Sequence, residues 1–63
     1  MNDVNPRTID GITWRATGEV IDRTSIYDWE EVVEGEDELG NQYEASATIS
    51  IGEIIEIHGK HEL

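Results

Sequence analysis

Residues 42–51, QYEASATISI, decide the fold class. Tyr43, Ala45, Ala47, Ile49 and Ile51 alternate without interruption with Gln42, Glu44, Ser46, Thr48 and Ser50. A period of two over this length places the apolar set on one face of a strand and the polar set on the other, as in an antiparallel sheet with one wet side. The two alanines facing the core leave room for large neighbours, and Trp14 and Trp29 are the large side chains available.

Working outward, Gly40 and Asn41 precede this strand and tolerate positive φ, so residues 32–38 and 42–48 read as a hairpin pair. Gly52 punctuates the chain after it, and EIIEIH at 53–58 makes a following strand with Ile55 and Ile57 on one face. Further upstream, Ile12, Trp14, Ala16, Gly18 and Val20 alternate with Thr13, Arg15, Thr17 and Glu19, a half-buried strand in which Gly18 marks a bulge or bend. Residues 25–35, SIYDWEEVVEG, fit two periods. Ile26, Trp29, Val32 and Val33 have helical spacing, with Ser25 and Asp28 as a capping pair and Gly35 as a far cap, whereas Tyr27, Trp29 and Val33 also alternate. Pairing with residue 42 onward favours a strand, with one short helical turn near residues 25–31 as the variant.

The expected fold is all-β: a small antiparallel four-stranded meander, forming a curled sheet or open barrel. Its expected core is Trp14, Ala16, Val20, Trp29, Val33, Tyr43, Ala45, Ala47, Ile49, Ile55 and Ile57. Four strands with an uncovered face bury little, so such a sheet must curl, be covered by the chain ends, or dimerise. Residues 1–9, polar and containing Asn5-Pro6, read as a flexible N-terminal arm, 10–59 as the single β domain and 60–63 as a C-terminal tail. The opening at Met1 is that expected of a complete small reading frame.

With 63 residues and no cysteine, the chain has room for one domain and no disulfide or thiolate zinc site to support it. The absence of cysteine fits a cytoplasmic protein. No apolar run in the first ten residues reads as a secretory signal, and none anywhere approaches the ~20 residues that span a bilayer.

Fifteen acids against four bases give a formal net charge of -11. Ten of the acids lie between Arg23 and Lys60 with no Lys or Arg among them. Such a field repels nucleic acid and anionic membrane, so neither is expected as a direct partner, and attracts basic protein surfaces. Within it, residues 28–38, DWEEVVEGEDE, carry seven carboxylates in eleven positions. If extended, Asp28, Glu30, Glu34, Glu36 and Glu38 share one side at steps of ~6.7 Å, while Glu31 and Asp37 face the other.

The candidate partner-binding residues are therefore Asp28, Trp29, Glu30, Glu34, Glu36, Asp37, Glu38 and Glu44, with Trp29 or Tyr27 beside the acids as an apolar anchor. His58 and His61, three apart, could with Glu56 or Glu62 offer ligands to a divalent metal, but they read as two exposed histidines near the chain end without the positioned partner that catalysis needs, and the run 34–38 lacks the alternating Asp and Asn of a calcium loop. No catalytic residue, metal or cofactor is expected.

In outline, a short acidic β chain without cysteine is similar in kind to phage-encoded inhibitors that occlude the nucleic-acid-binding sites of host defence enzymes. The likeness is compositional and implies a function as a nucleic-acid-mimicking inhibitor in a basic groove, in the host cytoplasm if phage-encoded. The alternative is an assembly module that pairs through an open strand edge, as a homodimer for example, with its acids serving solubility alone.

Overall fold

The computed structural model describes residues 4–63 as an antiparallel sheet of five strands in chain order. They are β1 (Arg7–Ile9), β2 (Ile12–Arg23), β3 (Asp28–Asp37), β4 (Gln42–Ser50) and β5 (Glu53–Glu62). Each strand pairs with the next, so every connection is a turn and the topology is a simple meander.

The fifth strand, absent from the four-strand expectation, comes from a turn at Asp10-Gly11. Both residues have positive φ, 52° and 79°, the geometry of a two-residue type I′ turn, which folds β1 back along the start of β2. Strand pairing thus reaches beyond residues 10–59 at both ends, to Arg7 and to Glu62. The part of the expected flexible arm at residues 1–3 lies outside the described residues.

No helix occurs among the described residues, and the helical variant for 25–31 gives way to a turn and a strand. Residues 24–27 bend, held by the Ser25 hydroxyl, which accepts from the backbone N–H groups of Tyr27 and Asp28 at 3.2 and 3.1 Å. From Asp28 the chain is extended and in continuous register with β4, from Asp28 opposite Ser50 to Glu36 opposite Gln42. Two periods competed locally, and the unbroken alternation of β4 supplied the partner that favours the strand.

The sheet curls into a half-barrel. At one end its margins meet: the Asn5 N–H donates to the Gly52 carbonyl at 3.0 Å, and the Arg7 guanidinium donates to the Ile54 carbonyl at 2.6 Å. Farther along, the seam stays open around a cavity of about 330 Å³ lined by Ile9, Ile12, Trp14 and Ile57, with Arg7 and Lys60 at its margin.

The concave face holds the core of Ile12, Trp14, Trp29, Val33, Ala45, Ala47, Ile49 and Ile54. Tyr43 and Ile57 pack against it half-buried, and Ala16 is half-buried as well. Two expected core residues lie outside it, each displaced by a bulge. Gly18, at φ 92°, interrupts β2 so that the register jumps between Ala16 and Val20, and Val20 is left 40% exposed. On β5 one extra residue, Ile55, sits opposite the Thr48–Ile49 step, which turns Ile54 inward and leaves Ile55 53% exposed. The single residue inserted on β5 reverses which face the next side chain takes, whereas the jump on β2 takes four positions against two on β3 and keeps Val20 opposite Glu31.

Gly35, considered above as a helix cap, is instead a packing residue in mid-strand. It lies in register with Trp14 on one side and Tyr43 on the other, and a Cβ there would come within 2.6 Å of Ile12 and 2.7 Å of the Trp14 ring. The indole occupies the space the missing side chain leaves and meets the Tyr43 ring at 6.4 Å, tilted by 58°.

Candidate functional site

The convex face of the half-barrel is the acidic one. On β3, Asp28, Glu30, Val32, Glu34 and Glu36 alternate with the buried Trp29, Glu31, Val33 and Gly35, so four of the expected acids project outward together. Successive outward positions are ~6.7 Å apart. Their neighbours on β4 are Ser50, Thr48, Ser46, Glu44 and Gln42, which brings Glu44 directly opposite Glu34. Like charges so placed repel, and the pair lies in a row flanked by Arg15 on β2 and His61 on β5.

Among the described residues no Lys or Arg forms an ion pair with an acid. The contacts of that kind are His58 Nε2 with Glu56 at 3.3 Å and His61 Nε2 with Glu44 at 3.6 Å, between exposed side chains. The basic residues are engaged elsewhere or stand free. Arg7 donates to a backbone carbonyl, and the Arg23 guanidinium lies 5.1 Å over the centre of the Trp29 ring. Asp28 is fixed in place by hydroxyls from Ser50 at 2.6 Å and Ser25 at 3.4 Å.

Three of the expected site residues belong elsewhere. Trp29 is 4% exposed, so it cannot anchor a partner; its indole N–H donates to Glu31 at 2.8 Å within the core. Asp37 builds the β3–β4 turn. Its carboxylate accepts from the backbone N–H groups of Leu39 and Asn41 at 2.9 Å each, from the Asn41 amide at 3.0 Å and from the Tyr43 hydroxyl at 2.8 Å. The Asn41 amide above all, with the Tyr43 hydroxyl and the two N–H groups, holds the Asp37 carboxyl at about 2 instead of 3.8, although partial burial works against this. The same hydrogen bond pushes the Tyr43 hydroxyl up. Glu38 sits on the turn itself, exposed, and does not continue the row of β3. The face thus consists of Asp28, Glu30, Glu34, Glu36 and Glu44, with Tyr27 exposed beside Asp28.

Glu31 is the acid whose position sequence reasoning placed correctly on the inner side but gave no role. It is 4% exposed, and besides the Trp29 indole it accepts the Gly18 N–H at 2.7 Å. One carboxylate therefore satisfies both the core tryptophan and the backbone freed by the β2 bulge. The signal was available in the alternation of β3, since an acid in phase with Trp29 and Val33 needs inward donors.

Among the described residues no three His, Asp or Glu side chains converge as a metal site, and no helix is long and apolar enough to cross a membrane. Comparison with known proteins finds no matching family model, curated protein or solved structure.

Proposed function

We propose that this chain is a small acidic protein-binding module whose convex face occupies a basic groove on another protein, in the place of nucleic acid. The reading is supported above all by one observation: Asp28, Glu30, Glu34, Glu36 and Glu44 share the outer face of two paired strands, without Lys or Arg ion pairs among the described residues. Carboxylates at ~6.7 Å steps along a strand approximate the through-space repeat of a phosphate backbone, whose charges advance ~3.4 Å per nucleotide along the axis. A sheet also holds them in place before binding, so a partner meets an ordered array. The module works by occlusion, without catalysis, and acts in the cytoplasm, that of the host where a phage encodes it.

Capture of partners from the source cell, followed by competition with duplex DNA, is the direct test. Binding should weaken steeply between ~50 mM and ~500 mM salt and be lost on reversing Glu30, Glu34 and Glu36 to Lys. Binding indifferent to both treatments would exclude this mechanism.

A second reading, assembly through a strand edge, is favoured by the shortness of β1. It pairs only Ile12 to Trp14, which leaves the outer edge of β2 unpaired from Arg15 onward among the described residues. Sedimentation separates the two: a stable dimer unaffected by charge reversal on the convex face supports assembly.

A further inference from the structure

The two remaining turns, residues 24–27 and 51–52, form the end of the meander opposite Asp37, and their chemistry is unlike that of a solvated loop. Ile51 has φ 51° and is 77% exposed. A β-branched residue in the left-handed region is strained by its own Cβ, and here burial offers no compensation. Asn, Asp or Gly is the usual occupant of the first central position of such a turn. Opposite it, the Tyr27 carbonyl accepts the Ile51 N–H at 2.9 Å, and Ile26 and Tyr27 are 71% and 61% exposed. Val20 and Ile21, where β2 pairs with the start of β3, add two more exposed apolar side chains at this end.

The tip is rigid. Thr24 and Ser25 donate their N–H groups to the Asp28 carbonyl at 3.1 and 2.9 Å, the Ser25 hydroxyl accepts two N–H groups in return, and Ser50 ties the Asp28 side chain across to β4. Strain retained at an exposed apolar position, where burial does not offset it, is a mark of function. The surroundings select the occupant. Asp22, Asp28, Glu30 and Glu53 outnumber Arg23 beside the tip on the adjoining strands, and the whole chain carries -11. An anionic membrane and a second copy of the chain are both repelled by that charge, whereas a basic protein surface is attracted.

We propose that Ile26, Tyr27 and Ile51 form the apolar anchor of the interface, inserting into a hydrophobic pocket at the end of the partner's basic groove. The anchor rests on the acidic-face reading above and assigns to the tip the specificity that charge alone does not provide.

Two model peptides of equal positive charge test it at low salt: a lysine homopeptide, and one with leucines interspersed between the lysines. Wild type should bind the leucine-containing peptide about tenfold more tightly, as expected from burial of one apolar side chain. Ile51→Asn, which creates the favoured Asn-Gly turn, should abolish that preference and leave homopeptide binding unchanged. It should also raise the Tm by about 5 °C as the strain is relieved. Glu34→Gln with Glu36→Gln should weaken both peptides alike. A leucine preference that is absent, or that survives Ile51→Asn, overturns the anchor while leaving the acidic face intact, and Tyr27→Ser should likewise reduce the preference. An Ile51→Asn protein no more stable than wild type removes the strain on which the inference stands. If wild type binds neither peptide, the acidic-face reading has failed and the anchor falls with it.

Discussion

The two ends of the meander are closed by turns of opposite character. At one end Asp10-Gly11 and Asp37 to Asn41 use residues suited to their conformations: Asp10, Gly11 and Gly40 take the positive φ, and the Asp37 carboxylate satisfies its own turn. At the other end the same two-residue geometry as Asp10-Gly11 is filled by Ile51-Gly52, with an exposed isoleucine where aspartate sits in the first. The tryptophans divide in the same way. Trp14 packs over Gly35 and beside Tyr43 towards the Asp37 end, whereas Trp29, towards the tip, depends on a buried carboxylate and a surface arginine. One end is arranged for stability, and the other carries local costs that the fold itself does not require.

The comparison can be broken most severely at the tryptophans. Glu31→Ala removes the acceptor for both the Trp29 indole and the Gly18 N–H, and an unsatisfied buried donor costs ~1–3 kcal/mol. Losing two should destabilise the protein by about 3 kcal/mol, with Glu31→Gln, which keeps an acceptor, losing less; denaturant titration measures both. If Glu31→Ala were harmless, Trp29 would not depend on it. Gly35→Ala comes next, at about 2 kcal/mol, because the added methyl meets Ile12 and the Trp14 ring at sub-contact distance in a strand that cannot move away from both its neighbours. Near-UV circular dichroism should then report a displaced Trp14.

Exchanging the two turns sharpens the contrast. Asp10→Ile gives the first turn the strain of the second and should cost ~1–2 kcal/mol, the penalty for a bulky residue in the left-handed region. Equal stability would mean that this geometry does not discriminate between the residue types, and the special status of Ile51 would go with it.

Strand character was legible wherever alternation was long. The apolar phase of β4 held from Tyr43 to Ile49, and the same phase on β3 put Asp28, Glu30, Glu34 and Glu36 outward. It failed where one extra residue entered a strand. A bulge at Ile55 changes nothing in local composition, yet it exchanges Ile54 for Ile55 in the core, because the choice is made by the register of β4 against β5. Asp10-Gly11 is a different case: the pair is a strong hairpin signal, but the three residues of β1 before it are too few for alternation to mark a strand. The pair Trp29 and Glu31 was legible as to face but not as to role, since the indole donor and the bulge N–H converge only once β2 lies alongside β3.

The Asp37 turn makes a smaller but more selective prediction. An unfolded Asp37 takes up its proton near 3.8 and the folded one near 2, so its stabilisation is complete above pH ~4 and is lost as the pH falls through 2. The difference in Tm between wild type and Asp37→Asn should therefore be constant from neutral pH to about 5 and shrink steadily towards pH 2. A difference that persists at pH 2 would place the stabilisation in hydrogen bonds that the amide also loses, independent of charge.

The smallest expected effect concerns the convex face as a whole. Glu34 and Glu44 stand opposite each other on neighbouring strands, and Asp28, Glu30 and Glu36 repeat along the same ridge without Lys or Arg ion pairs among the described residues. Repulsion of this kind costs ~0.2–1 kcal/mol per directly opposed pair and is screened once the Debye length falls towards ~3 Å near 1 M salt. Added sodium chloride should thus raise the Tm by about 2–5 °C, a gain that Glu44→Gln should reduce by removing the opposed pair in advance. Because the Asp37 turn is held by hydrogen bonds within the turn, its variant should respond to salt as wild type does. A Tm that falls with salt would mean that the convex acids are already balanced by Arg15 and His61, and that the face presents less charge to a partner than its carboxylates suggest.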